Sequence, residues 1–273
     1  MGCILPGGTA TQQLELAVVA EDAGWDGVFV WEGAYGVDAW SLLSAMAVRT
    51  ERVRLGTMLT PLPWRRPWKV ASQVATLDQL SGGRAILTVG LGAITEDLPF
   101  TGEEEERRAR AAMLDDGIDL IRALWAGEPA FEGETAAYRF EITDQLSVAQ
   151  PAQERIPIWA VGMWPRMKSM RRVLRCDGIV PQFTDGEHHG SPGRLREMRA
   201  WLADNGARPD IDVVTEGDTS ADDAAQAWDT VAPWAEAGCT WWMESNWEMP
   251  HHSTERVDEV RLRLLAGPPA PGA

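Results

Sequence analysis

The chain has 273 residues, 45% of them hydrophobic, enough for one large domain or two small ones. Lys and Arg total 25 against 41 Asp and Glu, and the net charge of −16 repels nucleic acid and anionic lipid. Cys3, Cys176 and Cys239 are too scattered for a disulfide framework or a zinc site, and neither a leader pattern nor a long apolar span is present, so a cytoplasmic protein with no nucleic-acid or membrane partner is expected.

Short β-type runs alternate with helical patterns. The candidate strands are CILP (3–6), GVFVW (27–31), VRLGTML (53–59), AILTVG (85–90), PIWAVG (157–162), DGIVPQ (177–182), IDVVTE (211–216) and CTWWMES (239–245). The third helix is the best marked. Pro67 suits its first turn, Val70, Val74 and Leu77 recur at helical spacing, Leu80 extends that face, and Gly82 supplies the stop. The fourth is expected from about Glu103 to Trp125, with an acidic start that suits the positive end of the helix dipole. This alternation predicts an α/β fold, a (β/α)8 TIM barrel of parallel strands forming one domain over 1–266, with an open doubly wound sheet as the competitor. Residues 126–156, between the fourth helix and the fifth strand, are expected to form a small insertion on the face away from the site, and the tail 267–273 to fray.

In such a barrel, ligands bind at the C-terminal ends of the strands. The turn SGGR (81–84) then lies at the bottom and GLGA (90–93) at the top. Glycine weakens a core strand and packs nothing, so Gly90 and Gly92 make sense where the chain turns and a ligand approaches the backbone. Fourteen Trp is several times ordinary usage. Trp31, Trp40, Trp64, Trp68, Trp164, Trp242 and Trp247 fall at strand ends or in the loops after them, and Trp159 and Trp241 within strands. A rim of indoles suits a flat aromatic ligand; equally, indoles pack loops onto a barrel. Trp31, Trp40, Trp64, Trp242 and Trp247 are the candidate substrate-side residues.

The stretch VGMWPRMKSMRRVLR (161–175) places Pro165 to open a helix, with Arg166 and Lys168 near its start and no acidic residue in the run. A helix N-terminus of this kind suits a phosphate, while Arg171, Arg172 and Arg175 read as a solvated face. TPLPWRRPWK (60–69) brings Arg65, Arg66 and Lys69 to a proline-stiffened loop after the third strand, either a wall beside a ligand or an ordinary ordered loop. Asp26 and Asp177 begin strands and read as turn residues at the bottom. Glu32 and Glu244 are carboxylates in the ligand layer, and His188–His189 and His251–His252 fall on the same face. Adjacent histidines do not aim at one point, so no metal is assigned, although the pairs keep a metal-dependent barrel hydrolase as a lower alternative. Glu32, His188 and Glu244 are the candidates for proton transfer. Without a nucleophilic set, the chemistry is assigned to a bound cofactor.

These residues also carry a resemblance. RLGTMLTPLPWRRPWKVASQVATLDQLSGGRAILTVGLGA (54–93) resembles the third-to-fourth-strand region of the luciferase-like oxidoreductases. PIWAVGMWPR and DGIVP are similar to their fifth-to-sixth-strand region, and AEAGCTWWMESNW resembles the final strand of a short actinobacterial branch. The resemblance implies a (β/α)8 barrel that binds reduced FMN or the deazaflavin coenzyme F-420. It implies monooxygenation or hydride transfer on a small organic substrate, and a homodimer. The family's bulge after the third strand, often with a non-proline cis peptide, falls at Met58–Leu59 and, with Thr60, would support the ring. Its glycine loop falls at Gly90, Leu91 and Gly92. Its phosphate-contacting loop falls at Gly162, Met163 and Trp164, beside Arg166. The chain departs from the pattern at Glu32-Gly33, where many relatives have Asp-His, at Met163-Trp164, where many have a second glycine pair, and at Ala93, where several have Glu. The missing His motivates one alternative, a flavin- or deazaflavin-binding protein without catalysis.

Overall fold

The computed structural model describes the chain except for residues 34, 93–105, 136, 142–149, 185–189, 246–253 and 273. Strand and helix alternate as β1 (Gly2–Ile4), α1 (Ala10–Asp22), β2 (Gly27–Val30), α2 (Ala39–Ala47), β3 (Arg54–Thr57) and β4 (Thr60–Pro61). A 3-10 turn at Leu62–Trp64 leads into α3 (Pro67–Ser81), β5 (Ala85–Gly90) and α4 (Arg107–Ala126). The hairpin β6 (Ala130–Glu132) and β7 (Arg139–Glu141) precedes β8 (Ile158–Trp164), α5 (Met167–Val173), β9 (Gly178–Phe183) and α6 (Pro192–Asp204). Then follow β10 (Asp212–Gly217), α7 (Ala224–Glu236), β11 (Trp241–Glu244) and α8 (Thr254–Leu265). Among the described residues, eight parallel strands run in the order β3-β2-β1-β11-β10-β9-β8-β5, and pairing of β3 with β5 closes the ring. This is the expected barrel, and it positions a ligand site at the strands' C-terminal ends.

Side chains alternate across each strand, so the barrel has two apolar layers. Ile4, Phe29, Met58, Ile86, Trp159, Val180, Val214 and Met243 fill the interior, while Leu16, Leu43, Leu55, Val74, Leu87 and Ile118 join strands to helices. Phe29 stacks on Trp159 at 5.4 Å, and Trp241 meets Trp159 edge-on at 5.4 Å. Glycines make room for these rings: a Cβ at Gly178 would lie 2.2 Å from Trp159, and one at Gly56 would lie 3.0 Å from Phe29. Trp159 and Trp241 are therefore an interior plug.

The local signals hold with specific adjustments. In α3, Pro67 takes the first position and Gly82 ends the helix at φ 66°. Leu80 is 47% exposed instead of extending the buried face; a helical step of about 100° per residue carries it roughly 80° away from Val70. Arg84 of the SGGR turn is buried and donates to the carbonyls of Ala47 (2.9 Å), Thr50 (2.7 Å), Val53 (2.7 Å) and Ser81 (2.8 Å), tying the turn to the end of α2. The fourth helix starts at Arg107, later than expected, because Glu106 caps it by accepting from the Ala109 N–H at 2.6 Å; residues 103–105 lie outside the described residues. The insertion does not stay at the bottom. Asp116 of α4 accepts from the Thr135 hydroxyl (2.7 Å) and the Ala137 N–H (2.9 Å), and Tyr138 meets Trp68 edge-on at 6.3 Å. The segment thus climbs α4 to the start of α3.

Candidate active site at the barrel mouth

The third strand is interrupted where the resemblance placed a bulge. Pairing stops at Thr57 and resumes at Thr60, and the Met58–Leu59 peptide between them is cis. Met58 faces the interior with Val214 and Met243. Thr60 donates to Glu32 at 2.7 Å, and its hydroxyl lies 2.9 Å from that of Thr57. Glu32 also accepts from the Trp40 indole at 3.2 Å and pairs with Arg65, which reaches Gln73 at 2.8 Å. Burial holds the Arg65 pKa below its ordinary value. Glu32 and Trp40 therefore brace the loop from behind; Trp40 is a buried member of α2.

The glycine loop after β5 is close-packed. A Cβ at Gly90 would lie 3.0 Å from Leu59 and 3.2 Å from Val161; one at Gly92, where φ is 74°, would lie 2.7 Å from Pro61 and 2.9 Å from Trp64. At Gly92 the positive φ and the contact with Pro61 require glycine, while at Gly90 a side chain would press on Leu59 and Val161. Behind it, Arg110 of α4 is 1% exposed and donates to the carbonyls of Leu91 and Gly92, the latter at 2.6 Å. A trans peptide opposes its N–H to its C=O, so drawing the Leu91 carbonyl towards α4 turns the Gly92 N–H the other way. Burial, aided by Arg107, lowers the Arg110 pKa. Sequence reasoning missed Arg110, although it shares a helical stripe with Leu114, Ile118 and Ile121. An arginine on an apolar stripe signals a buried, hydrogen-bonded guanidinium.

After β8 the arrangement differs from expectation. The helix opens at Met167, not at Pro165, and has seven residues, with Arg166 as its N-cap. The Trp164–Pro165 peptide is cis, and Trp164 packs outward on Trp201 of α6 at 5.9 Å. Gly162 serves packing: a Cβ there would lie 2.6 Å from Ile179 and 3.0 Å from Val173. The basic run is not free of acids. Arg172 pairs with Asp115 at 2.8 Å, and Arg175 pairs with Asp115 (2.8 Å) and Asp119, both acids on α4. Arg166 and Lys168 remain exposed, and Arg107 brings its guanidinium 3.1 Å from the Met163 Sδ.

The remaining candidates separate. Trp242 and Glu244 alternate with the interior residues Trp241 and Met243, and so face the helices. Trp242 packs on Trp234 at 6.4 Å, and Glu244 accepts from the Thr219 N–H and hydroxyl, both at 2.7 Å, beside Arg263. Burial raises the Glu244 pKa against the opposing pull of Arg263. At the bottom, Asp26 pairs with the N-terminus at 2.7 Å. Asp177 is more than a turn residue, since Arg122 (2.9 Å), Arg155 (2.6 Å) and Arg208 (2.9 Å) converge on it. Ala93, His188, His189, Trp247, His251 and His252 lie outside the described residues. No three His, Cys, Asp or Glu gather as metal ligands among the described residues. Sequence reasoning also missed Gln182 and Glu216, which follow Val180 and Val214 by two positions and therefore face inward. A cleft there is lined by Met58, Val180, Pro181, Val214, Thr215, Glu216 and Met243.

Comparison with known proteins agrees with this geometry. The description of luciferase-like monooxygenases matches residues 4–266. A candidate coenzyme F420-dependent oxidoreductase of Mycobacterium tuberculosis, Rv3520c, is 32% identical over 204 residues, covering 71% of this chain and 56% of that protein. The F420-dependent glucose-6-phosphate dehydrogenase of Nakamurella multipartita is 29% identical over 264 residues, covering 92% of this chain and 76% of that protein. The chain thus spans little more than half the length of the first of these relatives. In fold, it superposes with a TM-score of 0.74 and 17% identity on the oxygenating constituent of 3,6-diketocamphane monooxygenase from Pseudomonas putida, solved with FMN, over 100% of this chain and 98% of that one. No helix of the described residues is long and apolar enough to cross a membrane. The closed parallel barrel, the interrupted third strand and the match over nearly the whole length have one conclusion: the chain belongs to the luciferase-like monooxygenase family.

Proposed function

We propose that this chain is a flavin- or deazaflavin-dependent oxidoreductase acting on a small organic substrate at the barrel mouth. The observation that carries the reading is the interruption of the third strand at Met58–Leu59, at the mouth of a barrel whose residues 4–266 match the luciferase-like family. Met58, Leu59 and Thr60 form the shelf on which the ring rests, braced by Glu32 and Arg65. Gly90, Leu91 and Gly92, held by Arg110, form the wall. Arg107, which lies beside Met163, and Arg166 would balance the charge of an anionic tail near the Gly162–Trp164 backbone. The Phe29–Trp159–Trp241 plug closes the barrel below and denies water a route from beneath. When bound, the cofactor supplies hydride transfer or, as reduced flavin, oxygen chemistry; the protein supplies orientation and shielding. The two relatives named for F420 favour the deazaflavin, and the Pseudomonas structure keeps FMN in place. A homodimer, carried over from the resemblance, and a cytoplasmic location, expected from the scattered cysteines, complete the reading.

The test is spectroscopic. Purified protein is loaded with FMN or F-420 and the bound chromophore is followed under anaerobic conditions. A band bleached by reduction and restored by an organic acceptor, faster than for free cofactor with the same acceptor, supports the enzyme. A bound band that never turns over with any acceptor supports the non-catalytic binding protein.

A further inference from the structure

Two parts of the mouth stand clear of the barrel's strand pairing. The third strand breaks off at Thr57 and pairs again only at Thr60 and Pro61, and among the described residues the pairing of β5 ends at Gly90. The Leu62–Trp64 turn and the Leu91–Gly92 loop therefore depend on packing, and α4 supplies it to both. Leu62 is fully buried, and a Cβ at Gly117 of α4 would lie 2.9 Å from its Cδ2. Arg110 of α4 holds the Leu91 and Gly92 carbonyls. The helix is fastened in turn to the inserted hairpin. Asp116 is 2% exposed and accepts from the Thr135 N–H (3.2 Å), the Thr135 hydroxyl (2.7 Å) and the Ala137 N–H (2.9 Å). A Cβ at Gly133 would overlap both carboxylate oxygens, so the hairpin closes directly on Asp116. Tyr138 is buried, meets Trp68 edge-on at 6.3 Å, and lies 3.7 Å from where a Gly117 Cβ would stand. The insertion, α4 and the 62–68 segment thus form one packed stack. A carboxylate at this depth is costly unless hydrogen-bonded, and among the described residues all of its donors come from the insertion.

We propose that Asp116 is a positioning residue. By tying the insertion to α4 it fixes the spacing between the 59–64 segment and the glycine loop, and so how tightly a ring is gripped. The inference rests on the cofactor reading above. Asp116 sits roughly 120° around α4 from Arg110, facing the insertion instead of the mouth. It acts through Gly117 on Leu62 and through Arg110 on Gly92. Close-packed elements transmit strain, so loosening one side of α4 shifts the groups held on the other.

The experiment has one arm that needs no cofactor. Amide hydrogen exchange is followed in cofactor-free wild type and in Asp116→Asn, which keeps the side-chain volume but removes acceptor capacity. Exchange in peptides covering 59–64 and 88–92 is expected to quicken about fivefold or more, while a peptide over 212–217 stays within about twofold. In the second arm FMN and F-420 are titrated, and Asp116→Asn is expected to weaken binding about fivefold. Combined with Arg110→Met, the loss should fall short of the product of the two single losses, because both act on the same loop. Asp177→Asn, at the opposite end of the barrel, controls for lost stability alone. Should Asp116→Asn fail to fold, Thr135→Val, which removes one donor and keeps the backbone bonds, takes its place. Unchanged exchange in the two peptides, faster exchange with unchanged affinity, or losses that multiply in full overturn the inference and leave the cofactor reading intact. Failure of both cofactors to bind the wild type overturns the cofactor reading, a result distinct from any outcome of the exchange arm.

Discussion

Arg110 holds Gly92 by a 2.6 Å hydrogen bond from its guanidinium to the glycine carbonyl, and a second bond reaches the carbonyl of Leu91. A buried cation spends its donors on two loop carbonyls, so the loop's shape depends on a residue that does not face the mouth. Arg110→Met is expected to cost about 2–3 kcal/mol of stability and to weaken cofactor binding tenfold or more. Arg110→Lys should recover part of both. Unchanged cofactor affinity in a destabilised Arg110→Met would show that the loop is not part of the cofactor wall.

Glu21 gives the fold a defined acid sensitivity. Its carboxylate accepts from the N–H groups of Glu51 (2.8 Å), Arg52 (2.6 Å) and Val53 (2.9 Å). Burial alone would raise its pKa, but these three donors, aided by the charge of Arg52, more than offset that and hold it below the ordinary value. A depressed folded-state pKa stabilises the fold fully above the unfolded value, and the contribution is lost as pH falls through the folded value. Glu21→Gln is expected to lower stability by about 1–2 kcal/mol near neutral pH. Denaturant melts at about pH 7 and about pH 3 should show the gap between variant and wild type narrowing in acid.

The interior plug makes a steric prediction. A Cβ at Gly178 would lie 2.2 Å from Trp159. Gly178→Ala is expected to destabilise the barrel by about 1–3 kcal/mol through overpacking. Adding Trp159→Leu should make the two changes non-additive in a double-mutant cycle, because the second relieves the first.

Asp177 supplies the control at the opposite end. Arg122, Arg155 and Arg208 meet on this carboxylate, which is only 10% exposed. Asp177→Asn is expected to cost about 2 kcal/mol and to leave cofactor affinity within twofold of wild type. A large affinity loss would mean that the two ends of the barrel are coupled.

The strands were legible because their residues alternate or run apolar between turn signals; β5 falls on 85–90 as read, and Pro67 and Gly82 bound α3. Helix starts were less legible, because they depend on which side chain reaches back to the backbone. Glu106 does so and opens α4 at Arg107, whereas α5 starts at Met167 with Arg166 as its N-cap. The glycine loop and the strand-three bulge were visible as motifs. The fates of Trp164 and Trp242 were not, although strict alternation from Trp241 sends Trp242 outward. The pairing of Arg172 and Arg175 with Asp115 and Asp119 links residues more than fifty positions apart, and no local pattern announces it.

The central claim is that the mouth seats a flavin-type ring against Gly90 and Gly92, and titration of FMN and F-420 into the purified protein tests it most directly. At least one of them is expected to bind with a Kd near or below about 10 µM. Gly90→Val, whose added carbons meet Leu59 and Val161, is expected to weaken that binding at least tenfold in a protein that still folds. Calorimetry that finds neither cofactor bound to the folded wild type, or equal binding by wild type and Gly90→Val, would contradict it.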